Sequence, residues 1–191
     1  MIIFFVEEES MGKFLEGILP RLGFNSDNFE IKEHRGKPDL MSNLDKLIPT
    51  LSKQAQQIIV LVDRDNENCI GLKKNIKKKM EDHCSCEYKI RIVCHELEAW
   101  FLGDMDAIKK CSERFKPDSY RNKAQYRDID SIRMPKPSTL IEKIVPNWQT
   151  TYYSSKPKFA SEISKHISLE NKANKSHSFN VFLETVKSIK V

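Results

Sequence analysis

Apolar and polar positions alternate between two periods along the first hundred residues. Ile2, Ile3, Phe4, Phe5 and Val6 form an unbroken apolar run, as expected of a strand buried on both faces. Ser10 is placed to cap a helix in which Phe14, Leu15, Ile18, Leu19 and Leu22 recur at helical spacing as far as Gly23. Residues 29–33 alternate Phe29, Glu30, Ile31, Lys32, Glu33, the pattern of an edge or half-exposed strand. Residues 38–51 read as a helix with Leu40, Leu44, Leu47, Ile48 and Leu51 on one face. Residues 57–62 are the clearest strand, rich in Ile and Val and ending at Asp63. Residues 68–83 predict a further amphipathic helix, with Ile70, Leu72, Ile76 and Met80 inward and Lys73, Lys74, Lys77, Lys78 and Lys79 outward. A strand over 88–94 and a helix opening at 96–102 complete the series.

Strands alternating with helices predict an α/β fold with a mainly parallel four-stranded sheet and helices on both faces. Beyond residue 112 the pattern changes. Pro117, Pro135, Pro137, Pro146 and Pro157 punctuate short helical pieces near 137–145, 158–167 and 178–189. The expected organisation is therefore an α/β domain over 1–111 and a helical appendage over 112–191 packed on it. No internal repeat is visible.

Composition narrows the class. With 39% hydrophobic and 31% charged residues and only six glycines, the chain reads as folded, helix-rich and soluble, with a cytoplasmic setting expected. The apolar runs are far too short to span a bilayer, and no signal peptide is read. Five cysteines (Cys69, Cys84, Cys86, Cys94 and Cys111) without framework spacing suggest reduced thiols. The net charge of +5 conceals an asymmetry: residues 1–111 carry 17 basic and 19 acidic side chains, and residues 112–191 carry 15 and 8. An acidic centre facing a basic second half suits a metal-dependent enzyme acting on a polyanion, although Lys-rich helices can also be merely solvated.

The candidate chemistry lies where strands end. Glu7 follows the first strand, Asp63 and Asp65 follow the third, and Glu96 and Glu98 follow the fourth. In open parallel sheets these carboxyl ends form the ligand crevice. Alternate residues of an extended segment point the same way, so Asp63 and Asp65 are expected to face one ion together. A Mg²⁺ or Mn²⁺ ion takes a few carboxylates and keeps places for water and phosphate oxygens. The competing readings are an N-cap pair for Asp63 and Asp65, and helix-dipole complements for Glu96 and Glu98.

Val6 and Glu7 after the first strand, and Val62, Asp63, Arg64 and Asp65 after the third, resemble the two signatures of the TOPRIM fold shared by topoisomerases, primases and OLD-type nucleases. Four stretches are similar to a bacterial family of uncharacterised TOPRIM-like proteins, often encoded beside an ABC/SMC-type ATPase. They are residues 62–65 with Cys69, Leu72 and Lys73; residues 96–100; residues 135–137; and residues 153–156 with Ser178 and Phe179. Glu8 departs from the family's usual glycine and either joins the site or faces solvent.

The resemblance implies a TOPRIM-like sheet and a Mg²⁺- or Mn²⁺-dependent nuclease acting on DNA or RNA, as a defence or toxin-like effector with an ATPase partner. It implies that Asp63 and Asp65 hold the metal and that Glu7 is a further ligand or general acid/base. Glu96 and Glu98 are possible further ligands, and Lys136 and Lys156 would bring positive charge over the centre to a scissile phosphate. Arg35 and Lys37, in a basic loop beside Gly36, are further candidate phosphate contacts or a plain solvated loop. The alternative is a non-catalytic TOPRIM-like scaffold docking on the ATPase. Oligomeric state is left open.

Other features suggest less. The 73–79 lysine run reads as a solvated face, and Trp148, Tyr152 and Tyr153 read as core rather than as base-stacking platforms. His83, Cys84, Cys86, Cys94 and His95 lack the paired spacing of structural zinc. The absence of a Gly-x₄-Gly-Lys loop argues against ATP hydrolysis.

Overall fold

A computed structural model describes residues 1–131 and 133–190. Strands β1 (Ile2–Val6), β2 (Phe29–Glu33), β3 (Gln57–Asp63) and β4 (Glu87–Val93) form one sheet in the order β2-β1-β3-β4. Every pairing is parallel, consistent with the TOPRIM-like layout expected. The continuous apolar runs became the two central strands, and the alternating run became an edge. Nine α-helices lie among the described residues: α1 (Glu9–Ile18), α2 (Lys37–Leu51), α3 (Cys69–His83), α4 (Leu97–Leu102), α5 (Met105–Cys111), α6 (Pro137–Ile144), α7 (Trp148–Thr151), α8 (Lys156–Ser164) and α9 (His177–Lys187).

Period-two alternation divides the core into two layers. Ile3, Phe5, Ile58, Val60 and Val62 meet Leu40, Leu44 and Ile48 of α2 and Leu72, Ile76 and Met80 of α3. Ile2, Phe4, Val6, Ile59 and Leu61 face the other way, onto a larger core that takes in α1, α4 and the helices of the second half. This layer is rich in aromatics. Trp100 stacks on Phe182 at 5.0 Å and meets Phe14 and Phe179 edge-on or tilted. Its indole Nε1–H donates to Ser178 Oγ at 2.9 Å, satisfying the polar edge of a fully buried ring. Residues on both sides of position 112 thus share one apolar interior.

Helix α1 lies against α8 closely enough that a Cβ on Gly17 would fall 1.8 Å from Ser164 Oγ. At the far edge, Arg91 Nε donates to Thr185 Oγ1 at 2.6 Å, tying α9 to β4.

Three local expectations are corrected. Glu8, not Ser10, stands at the N-cap of α1, and Ser10 is a helical residue whose hydroxyl donates to the Glu8 carboxylate. Ile70 is 78% exposed rather than inward, because Asn68 caps α3 through a bond from Gly71 N and leaves Ile70 in the unpacked first turn. Leu47 lies at the rim of α2 and is 36% exposed, so the apolar stripe is narrower than its leucines suggest. Among the described residues no helix is long and apolar enough to cross a membrane.

Candidate metal centre

The chain runs from β1 outward to β2, then crosses back to β3 on the other side of β1. Successive connections therefore diverge between β1 and β3, and the crevice beyond their carboxyl ends is where such sheets bind ligands. Glu7 and Asp63 stand there. The Asp63 N–H donates to Glu7 Oε2 at 3.1 Å, so the two chain ends are joined through the Glu7 side chain. Asp63 continues the Ile59, Leu61 alternation and therefore points into the layer that holds α4.

Asp63 and Asp65 part company. Asp65 takes a left-handed backbone (φ 51°), its N–H donates to His95 O at 2.9 Å, and its side chain is about half exposed. The extended geometry expected to aim both carboxylates at one ion ends at Arg64. Asp63 remains 7% exposed, while Asp65 turns to Lys37 at 2.8 Å.

The charged group that acts most strongly on Asp63 is Glu98, which is 3% exposed in the first turn of α4. Burial pushes the Asp63 carboxyl well above its usual range, and the charges of Glu98, Glu7, Glu8 and Asp65 push it further. Burial likewise raises Glu98 to about 7, against the opposing charge of Lys156. Glu7 rises to about 7 for the same first reason, with Lys37 opposing and Asp65 adding. Glu8 acts on Glu7, Asp63 and Glu98 alike and so joins the site's electrostatics.

Three lysines meet these acids. Lys156 Nζ lies 3.3 Å from Glu98 Oε1, and Lys136 Nζ lies 3.2 Å from Glu96 Oε1. Lys37 reaches both Asp65 and Glu67, and those bonds outweigh the effect of its burial and raise its own pKa. Glu96 has a structural task as well: its Oε2 accepts from Ser138 N at 3.0 Å, capping α6 from outside that helix. Arg35 is exposed on the loop after β2, and its N–H donates to Asp39.

Beside Glu96 and Asp65 a cavity of about 170 Å³ opens between Asn66, His95, Met134 and Pro137. His95 was set aside with the zinc candidates; it lines this cavity, has a left-handed backbone (φ 63°) and bonds Ser131 O. Its sequence signal was weak because a single histidine carries no periodicity.

The donor set suits Mg²⁺ or Mn²⁺, whose preferred ligands are carboxylate and carbonyl oxygens and water. Among the described residues no three His, Cys, Asp or Glu side chains converge as a closed ligand group. Mg²⁺, however, is ordinarily held by one or two carboxylates with water and phosphate completing its shell. Asp63 Oδ1 and Glu98 Oε2 are both buried without a hydrogen-bond partner. A buried carboxylate oxygen without a partner is costly, and carboxylates of this kind are the ligand type that a small hard cation takes. The residues therefore fit such an ion.

No curated protein and no solved structure compared with the chain is similar to it. One family pattern extends over residues 6–187, from the last residue of β1 to the end of α9. On that match the chain belongs to the family described as a domain of unknown function, DUF4276.

Proposed function

We propose that this chain is a Mg²⁺- or Mn²⁺-dependent nuclease of TOPRIM type, hydrolysing phosphodiester bonds as the effector of a bacterial pair with an ABC/SMC-type ATPase. The observation that carries it is the pair of orphaned carboxylate oxygens, Asp63 Oδ1 at the end of β3 and Glu98 Oε2 in the first turn of α4, both buried. Asp63 and Glu98 would hold the ion, with Glu7 and Asp65 beside them. When bound, the ion would polarise a phosphoryl oxygen and lower the pKa of a water. Glu7, raised to about 7, is suited to take a proton from the attacking water or return one to the leaving oxygen near neutral pH. Lys156 and Lys136 sit beside the carboxylates on arms of the basic second half, positioned to pass from carboxylate to phosphate when substrate enters.

The test compares wild-type protein with Asp63→Asn in Mn²⁺ titration calorimetry and in cleavage of labelled DNA and RNA, with and without the partner ATPase. Binding and cleavage are both expected to disappear in the variant. An active Asp63→Asn protein would sink the proposal.

A second reading has its own observation. Lys37, Lys136 and Lys156 are all engaged with carboxylates, an arrangement suited to a rigid, non-catalytic scaffold docking on the ATPase. Such a scaffold would bind no Mn²⁺ through Asp63.

A further inference from the structure

We propose that Tyr153 is a stacking platform for a base of a single-stranded nucleic acid, next to the carboxylate centre. The proposal rests on the nuclease reading and adds the form of the substrate.

Trp148, Tyr152 and Tyr153 were expected in the core, and two of the three are. Trp148 and Tyr152 are 4% and 3% exposed, packed on Phe159, with the Tyr152 hydroxyl donating to Cys111 O at 2.9 Å. Tyr153 is 75% exposed. Helix α7 does not continue beyond its C-cap, Tyr152. Instead Tyr153 and Ser154 both take left-handed backbones (φ 52° and 54°), a conformation uncommon for a bulky side chain. Two such residues in succession cost energy, and strain of this kind tends to persist at functional sites.

The ring's surroundings match a nucleic-acid strand. Lys158 Nζ lies 4.3 Å from the ring centroid, fixing the ring through a cation–π contact and placing a positive charge beside it. Three residues on, Lys156 touches Glu98 of the centre. Three residues span at most about 10 Å of chain, so the backbone that carries the ring leaves directly from the segment that reaches the centre. An exposed aromatic flanked by cations is how proteins grip single strands without reading sequence, the ring taking a base while the lysines track phosphates. A duplex keeps its bases stacked on one another and offers no free face to Tyr153.

The test is fluorescence anisotropy with the full chain, with Ca²⁺ in place of Mn²⁺ so that the strand stays intact. Two labelled probes are compared: oligothymidine, and a strand of equal length and charge built of abasic residues. Wild-type protein should bind the base-bearing strand about five- to a hundredfold more tightly, the range of one base–aromatic stack. Tyr153→Ala should abolish that preference without changing affinity for the abasic strand, and Tyr153→Phe should keep it. Equal binding of both probes by wild type, or a preference that survives Tyr153→Ala, overturns the stacking role while leaving the nuclease reading in place. Binding of neither probe, nor of oligouridine, with or without the partner ATPase, overturns both.

Discussion

Glu98 sets up a direct contest between burial and pairing. Lys156 lies 3.3 Å away, and an accessible pair of this kind would lower the pKa of the acid. The carboxyl nevertheless rises from 4.5 to about 7, because it is almost fully buried and one oxygen has no partner. At about 1.4 kcal/mol for each tenfold change in proton affinity, that rise amounts to about 3 kcal/mol. The folded-state value lies above the unfolded one, so the contribution to stability is fully present below pH 4.5. It declines as pH climbs and is gone above about 7.

Glu98→Gln fixes a neutral side chain of nearly the same shape. In metal-free buffer the variant should match wild type near pH 4 and exceed it by about 3 kcal/mol at pH 8. With a urea slope of about 2 kcal/mol per molar, the denaturation midpoint at pH 8 should rise by about 1.5 M. Glu7 titrates in the same window but is not among the groups the Glu98 charge shifts, so it cancels. Asp63 is raised by that charge, and its relief in the variant adds to the variant's advantage at high pH. A wild type–variant difference that stays constant from pH 4 to pH 8 would refute the view that burial dominates Lys156 here.

Two further perturbations test the packing that holds the centre in place. Ser178→Ala removes the acceptor of the Trp100 indole N–H and of the Cys94 N–H, and should cost about 1–3 kcal/mol, read from tryptophan-detected urea denaturation. A loss below about 0.5 kcal/mol would mean that Ser178 is replaceable there. Gly17→Ala would ordinarily favour a helix by up to about 1 kcal/mol, but the Cβ would lie 2.6 Å from Ser164 Cβ, so a net loss of about 1–3 kcal/mol is expected in calorimetric Tm analysis. A raised Tm would show that α1 and α8 are not in close contact.

The sheet could be read from sequence because its strands differ in kind. The two central ones carry unbroken apolar runs, and β2 alternates as an edge should. The acidic positions were readable for a related reason, since a carboxylate that ends an apolar strand falls at the crevice. Their partners were not. Glu98 acts on Asp63 more strongly than Asp65 does, because the chain turns left-handed at Asp65 and carries that carboxylate to Lys37, and no periodicity signals a single dihedral. Ile70 was misplaced because hydrophobic spacing does not tell a packed turn from an exposed first turn. Tyr153 was read as core together with Tyr152, and is exposed because a left-handed backbone turn, which no periodicity signals, separates it from that buried neighbour.

Glu96 spends one oxygen on Lys136 and the other on the first turn of α6. Anything that recruits this carboxylate must compete with the N-terminus of α6 for it, and thermodynamic reciprocity then applies. A ligand that took up Glu96 would loosen the start of α6, and a partner that pulled α6 away would free Glu96 and alter that ligand's affinity. A single side chain thus gives an external protein a lever on the centre without touching it.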